Sequence, residues 1–231
     1  MHALQRLPLV TFGLSVLTLF GIVGARSAQA QTAVSYAQAG NFFPPNQGAQ
    51  FSLGYSFTPT QTLFLTALGY LNDGATGANA THQVQIYQIT AGGTLAPTAG
   101  TALFGTPVSV TTSAASAAFN TFTYVPVSGV MLLSNTPYEI VAEDNDNGFA
   151  YNAVAPVFTD ITYGTSTYTA GATTPVFNTN TYPLNDPGNF GPNFQFRTTS
   201  IPEPSSMTLL AVGGLVLLGL RLRARKYLRY P

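Results

Sequence analysis

The chain has 231 residues, with eight Lys and Arg against eight Asp and Glu, a formal net charge of zero, and only 7% of its residues are charged. Soluble domains usually carry roughly 25%. It has no Cys, which excludes zinc–thiolate sites, thiol nucleophiles and disulfide frameworks, and it is long enough for one domain, or two small ones, with a real core.

The zero is a sum of opposites. The bases are Arg6, Arg26, Arg197, Arg221, Arg223, Arg225, Lys226 and Arg229, so residues 27–196 hold no Lys or Arg. Between residues 31 and 200 lie seven acids (Asp73, Glu139, Glu143, Asp144, Asp146, Asp160, Asp186) and one base, a net of about −6. An acidic passenger thus sits between a weakly basic leader and a strongly basic tail. That asymmetry is a cue for targeting and argues against nucleic-acid binding.

Residues 1–30 read as a secretory signal peptide. Arg6 supplies the positive start, Leu7 to Val23 the apolar core, and Ala28 with Ala30 the small residues flanking a cleavage site after Ala30, where signal peptidase would act. A retained membrane anchor is the alternative, and Arg26 is a mild irregularity.

Residues 31–200 read as the passenger domain, all-β in character. Thr, Tyr, Phe and Val are plentiful, while Gly, Pro and Asn interrupt at short intervals. The expected strands are 51–58, 62–71, 82–90, 103–110, 119–125, 138–144, 149–154 and 193–198. Phe51, Leu53, Tyr55 and Phe57 alternate onto one face, as do Tyr138, Ile140 and Ala142. The 62–71 run is mostly apolar, as in a central strand. Pro107 marks an edge, and Asn147-Gly148 between two strand-like runs predicts a hairpin. Eight or so short strands without crossover helices predict an antiparallel two-sheet β-sandwich of jelly-roll type. Residues 159–192, rich in Thr, Asn, Gly and Pro, read as long loops at one end.

Residues 201–231 have three parts: Pro202-Glu203-Pro204; an apolar stretch over 207–220, expected to be a transmembrane helix; and a basic tail over 221–229 with Arg221, Arg223, Arg225 and Lys226. The apolar run is short of the roughly 20 residues that cross a bilayer comfortably; Leu222 and snorkelling arginines extend it. The basic cluster places the C-terminus in the cytoplasm and the passenger outside.

This end resembles the PEP-CTERM sorting signal of Gram-negative bacteria, through Pro202, Glu203 and Pro204, the apolar helix and the Arg-rich tail. The resemblance implies recognition by an exosortase, a membrane transpeptidase-like processing enzyme, and a setting of extracellular polysaccharide production. The stretch from about Gly54 to Glu143 also resembles a recurring passenger of such proteins, an uncharacterised extracellular β-sandwich domain. The matching runs are Gly54-Tyr55-Ser56-Phe57-Thr58, Leu65-Thr66-Ala67-Leu68-Gly69-Tyr70, Thr81-His82-Gln83-Val84-Gln85-Ile86-Tyr87 and Leu133-Ser134-Asn135-Thr136-Pro137-Tyr138-Glu139-Ile140-Val141.

Chemistry-bearing residues are sparse. His82 is the one His beyond the leader, and no Gly-x-Ser-x-Gly elbow accompanies it; a structural His bonded to a loop carbonyl is expected rather than a catalytic or metal role. Asp144 and Asp146, alternating before Gly148, could converge on a hard cation such as Ca²⁺; a solvated hairpin tip is the simpler alternative. Tyr151, Tyr163, Tyr168 and Tyr182 are candidate sugar-binding platforms, against the commoner fate of aromatics in or over a core. No pair among the seven acids stands out for glycoside hydrolysis. The expectation is a non-enzymatic exported protein of the cell surface or extracellular matrix, linked to exopolysaccharide and biofilm, needing no cofactor. The alternatives are a carbohydrate-binding module using those tyrosines, with or without Ca²⁺, and behind it a glycan-active enzyme.

Overall fold

The computed structural model describes residues 29–36, 41–42, 50–72, 80–112, 121–144, 150–151, 156–182, 188 and 191–198. Among these the protein is all-β, without helices, and every strand pairing is antiparallel. In chain order the strands are β1 (Gln31–Thr32), β2 (Val34–Ser35), β3 (Asn41–Phe42), β4 (Phe51–Pro59), β5 (Leu63–Asn72), β6 (Thr81–Ala91), β7 (Ala99–Ala102) and β8 (Val108–Thr111). There follow β9 (Thr121–Pro126), β10 (Met131–Leu132), β11 (Tyr138–Asp144), β12 (Ala150–Tyr151), β13 (Val157–Phe158), β14 (Ile161–Ala170), β15 (Asn180–Thr181) and β16 (Pro192–Arg197).

Two larger sheets share one core. The five-stranded sheet runs β1-β16-β5, with β9 and β10 following one another along the far edge of β5. The seven-stranded sheet runs β15-β14-β4-β11-β6, with β7 and β8 similarly placed along β6. The expected alternation explains the packing. Tyr55 and Phe57 of β4, Tyr138, Ile140 and Ala142 of β11, and Phe194 and Phe196 of β16 all enter the core. Across the sheets, the Phe57 and Phe194 rings lie 5.0 Å apart. The N-terminal segment is fastened by Asn193, whose side chain donates to Val34 O at 2.8 Å and accepts the Val34 N–H at 3.3 Å.

Three expectations are corrected. The strand expected over 103–110 is present only at its end: residues 103–106 are bends, β8 begins at Val108, and β7 lies ahead of the bends at Ala99–Ala102. Pro107 cannot donate to a ladder, and the Gln85 side chain takes the ladder's place there. Gln85 donates to Phe104 O at 2.9 Å and accepts from Phe104 N–H at 3.3 Å, so this buried amide is satisfied. Secondly, the strands flanking Asn147-Gly148 do not form a hairpin. Strand β11 is paired on both edges, by β4 and β6, and β12 pairs with β3 instead. The tip itself lies outside the described residues. Thirdly, 159–192 is not all loop: β14 is a ten-residue strand bonded along β4.

Candidate functional site

Because Tyr138, Ile140 and Ala142 face inward, the strand period turns Glu139, Val141 and Glu143 to the opposite face of the seven-stranded sheet. That face is covered. Residues 175–178 cross it as a strap, held by polar groups of four strands. The Ser52 hydroxyl donates to Val176 O at 3.1 Å and accepts the Val176 N–H at 3.2 Å. The Tyr87 hydroxyl donates to Pro175 O at 3.0 Å. Asn178 donates its backbone N–H to Glu139 Oε2 at 3.2 Å and its side-chain amide to Thr167 Oγ1 at 3.3 Å. Phe177 meets Tyr87 edge-on at 5.6 Å and rests against Gly100, where a Cβ would come within 2.4 Å of the ring.

Glu139 is therefore fully buried. Burial pushes its carboxyl up to about 8, against the opposing pull of the Thr167 hydroxyl and the Asn178 N–H. The Tyr87 phenol is likewise raised, first by burial and then by the neighbouring Glu139. At neutral pH Glu139 is a protonated carboxyl sealed under the strap. In that state it is a poor ligand for a cation, since a metal-binding carboxylate must give up its proton.

His82 is also buried, at 1% exposure. Its ring stacks on Tyr70 with centroids 3.7 Å apart and planes 6° from parallel. Its Nδ1 lies 3.3 Å from Glu143 O. A carbonyl only accepts, so this bond uses the Nδ1–H tautomer. The partner is a strand carbonyl on β11 rather than the loop carbonyl expected. The Glu143 carboxylate is turned to the Gln83 N–H, at 2.6 Å from Oε1. Among the described residues no group of three or more His, Cys, Asp or Glu could hold a metal ion. Asp144 ends β11, and Asp146 lies outside the described residues.

The candidate tyrosines separate. Tyr163 stacks on Phe158 at 5.0 Å, leans on Tyr55 at 6.2 Å, and its hydroxyl is 2.7 Å from Ser166 Oγ. Tyr168 of β14 and half-buried Tyr182, just after β15, form a tilted pair with centroids 4.6 Å apart at the sheet's edge. Tyr151 belongs to β12, which pairs with β3 elsewhere. Sequence reasoning missed the strap and the burial of Glu139; the available signal was the apolar Pro175-Val176-Phe177 within a polar stretch.

The last described strand, β16, ends at Arg197, and residues 200–226 match a family of sorting signals, the PEP-CTERM protein-sorting motif. The protein carries a PEP-CTERM signal. The match spans 27 of the 231 residues, counted from 200 to 226, so it describes this end rather than the passenger. A PEP-CTERM motif marks an exported protein, sorted by an exosortase and membrane-anchored as a precursor. Pro202, Glu203, Pro204, Arg221, Arg223, Arg225 and Lys226 all fall within the matched stretch. These residues, with Ala28 and the apolar run 207–220, lie outside the described residues; Ala30 is exposed just before β1. Only two residues separate Arg197 from the PEP-CTERM match, so the sorting signal follows the core sheet directly. No curated protein matches the chain.

Proposed function

We propose that this is a non-enzymatic protein of the cell surface or extracellular matrix, associated with exopolysaccharide in a biofilm. Its jelly-roll-type β-sandwich, residues 31–200, is the cargo of two targeting ends. The leader over 1–30 carries it across the inner membrane and signal peptidase removes that leader after Ala30. The apolar segment over 207–220 then holds the precursor, with its basic tail in the cytoplasm, until an exosortase acts near Pro202-Glu203-Pro204. The PEP-CTERM match at 200–226, set directly behind a core strand, carries this reading. The reading assigns no catalytic residue and no cofactor. His82 and Glu139, two groups that chemistry could have used, are both buried in packing roles.

Substitution of Glu203 by Ala in the producing cell is the test. The expected result is accumulation of a membrane-bound precursor that keeps its basic tail, seen as a larger band in the membrane fraction. Unaltered processing and release would contradict the sorting role of the motif.

The Tyr168–Tyr182 pair keeps a second reading in view, a carbohydrate-binding module. Two rings at a sheet edge can offer apolar faces to a sugar. Retention on immobilised polysaccharide, lost on changing Tyr168 and Tyr182 to Ala, would support it; equal retention of the double variant would remove it. A Ca²⁺ ion at Asp144 and Asp146 would raise the melting temperature when added.

A further inference from the structure

Residues 175–178 lie across the seven-stranded sheet without joining its ladder. Backbone bonds fasten the chain on either side of them, from Gly171 N–H to Gln50 O and from Tyr182 N–H to Ser166 O. Between those points, the hydrogen bonds of Pro175, Val176 and Asn178 go to side chains of the sheet. The partners are Ser52, Tyr87, Glu139 and Thr167. Gly171 has φ of 77° and open space where a Cβ would stand. The strap therefore starts at a residue whose backbone can re-set at little steric cost.

Under the strap two oxygens go unmet. Glu139 and Asn178 are both fully buried, and neither Glu139 Oε1 nor Asn178 Oδ1 has a hydrogen-bond partner among the described residues. With Glu139 ionised, both atoms are acceptors only, and buried acceptors without donors call for an explanation. The amide cannot simply be turned over. Its NH₂ group donates to Thr167 Oγ1 at 3.3 Å, and the Thr167 hydroxyl bonds on to the Glu139 carboxyl. Asn178 already gives its backbone N–H to Glu139 Oε2 at 3.2 Å. A single proton on Oε1 satisfies both orphans: it makes that oxygen a donor, and the acceptor is the side chain of the same Asn178.

We propose that residues 175–178 are a proton-held strap: Glu139 donates from Oε1 to Asn178 Oδ1, and loss of that proton favours opening of the strap about Gly171. Ionisation sets two acceptors against each other and leaves a charge under a dry cover. Nothing facing Glu139 can neutralise it. Ser56 of β4 and Tyr87 of β6 stand opposite it. Thr167 of β14 and Asn178 of the strap bond it, and Glu143 follows on the same face of β11. Of these groups only Tyr87 and Glu143 titrate, and neither carries positive charge; residues 27–196 hold no Lys or Arg. Opening lets water solvate the carboxylate and take up the proton. Between about 4.5 and about 8 the closed form holds one proton that the open form has released. Opening is thus least favoured below that interval, grows as pH rises through it, and levels off above it. The inference does not depend on the sorting reading.

Hydrogen exchange at the Val176 and Asn178 amides, in the full chain in detergent from pH 5 to 9, tests it. Glu139→Gln is the reference, because its amide N–H can replace the carboxyl O–H and carries no titration. The intrinsic pH dependence of exchange cancels in the ratio of parent to variant. That ratio is expected to rise by up to about tenfold per pH unit between pH 5 and 8, then to level off. Both amides should exchange about tenfold or more faster than Ile140, which lies inside the ladder. Chymotrypsin cleavage after Phe177 should rise with pH in the parent relative to the variant. At pH 6 the parent should show an infrared band of a protonated carboxyl that Glu139→Gln lacks. A ratio that stays constant with pH would overturn the proposal, as would absence of that band. So would strap amides that exchange only as slowly as Ile140, because the sheet would then open as a whole.

Discussion

Replacement of Glu139 by Gln is expected to stabilise the fold by about 2–4 kcal/mol at pH 7 and by almost nothing at pH 4. The carboxyl titrates at about 8 in the native state and near 4.5 in an unfolded chain. Between those values the native state holds a proton that the unfolded state has released. Stability from this group is therefore full below pH 4.5, falls as pH rises toward 8, and is flat above that. Each unit is worth roughly 1.36 kcal/mol, so the interval from 4.5 to 7 amounts to about 3 kcal/mol. Gln is neutral throughout and can still accept the Asn178 N–H, so the variant escapes this loss. Urea unfolding of both proteins at pH 4, 6 and 8 measures the difference. A gap that widens with pH is expected; a variant less stable than the parent at pH 8 would show that burial does not hold this carboxyl protonated.

The second large effect concerns Gly54→Ala. Gly is a poor strand residue, and an Ala that fits usually stabilises by about 0.4–1 kcal/mol. Here the opposite sign is expected. Gly54 sits in β4 between β11 and β14, opposite Val141 and Thr167. An added Cβ would stand 1.9 Å from Ile140 O and 2.9 Å from Val141 Cα. Both are backbone atoms of the neighbouring strand, so no side chain can turn away. Relief requires parting β4 from β11 in the middle of the larger sheet. The loss should reach the top of the usual overpacking range, about 3 kcal/mol or more. Chemical denaturation or the yield of soluble folded protein reads it directly. A Gly54→Ala variant as stable as the parent would mean that β4 and β11 have room between them for a methyl group.

These residues also show how far one-dimensional patterns reach. Strands β4, β6 and β11 are legible because each buries an apolar face, which writes a period of two into the sequence, and β5 because its mostly apolar run suits a central strand. Strand β14 is not. Its buried residues include Thr165, Ser166 and Thr167, small polar groups satisfied by distant partners. Thr165 N–H donates to Ser56 Oγ at 3.0 Å, and the Ser166 hydroxyl donates to Gly188 O. Such burial depends on contacts 22 to 109 residues apart, and hydrophobic periodicity carries no trace of them. The Asn-Gly hairpin failed for a related reason: a local turn signal cannot report that both edges of β11 are already taken by β4 and β6.

The sites divide in the same way. The sorting end is a linear signal, read from order and spacing, and its recognition needs no fold. Glu139, by contrast, reads as one of seven acids until residues 175–178 are laid across it.

The central claim is that an acidic passenger is separated from two targeting ends. Intact mass and isoelectric focusing of the protein recovered outside the producing cells test it most directly. The expected species starts at Gln31, is truncated near Pro202-Glu203-Pro204, carries seven acids against one Arg in residues 31–200, and focuses well below the 6.7 of the full chain. Recovery of an external protein that retains Arg221 to Lys226 and focuses at or above 6.7 would contradict it.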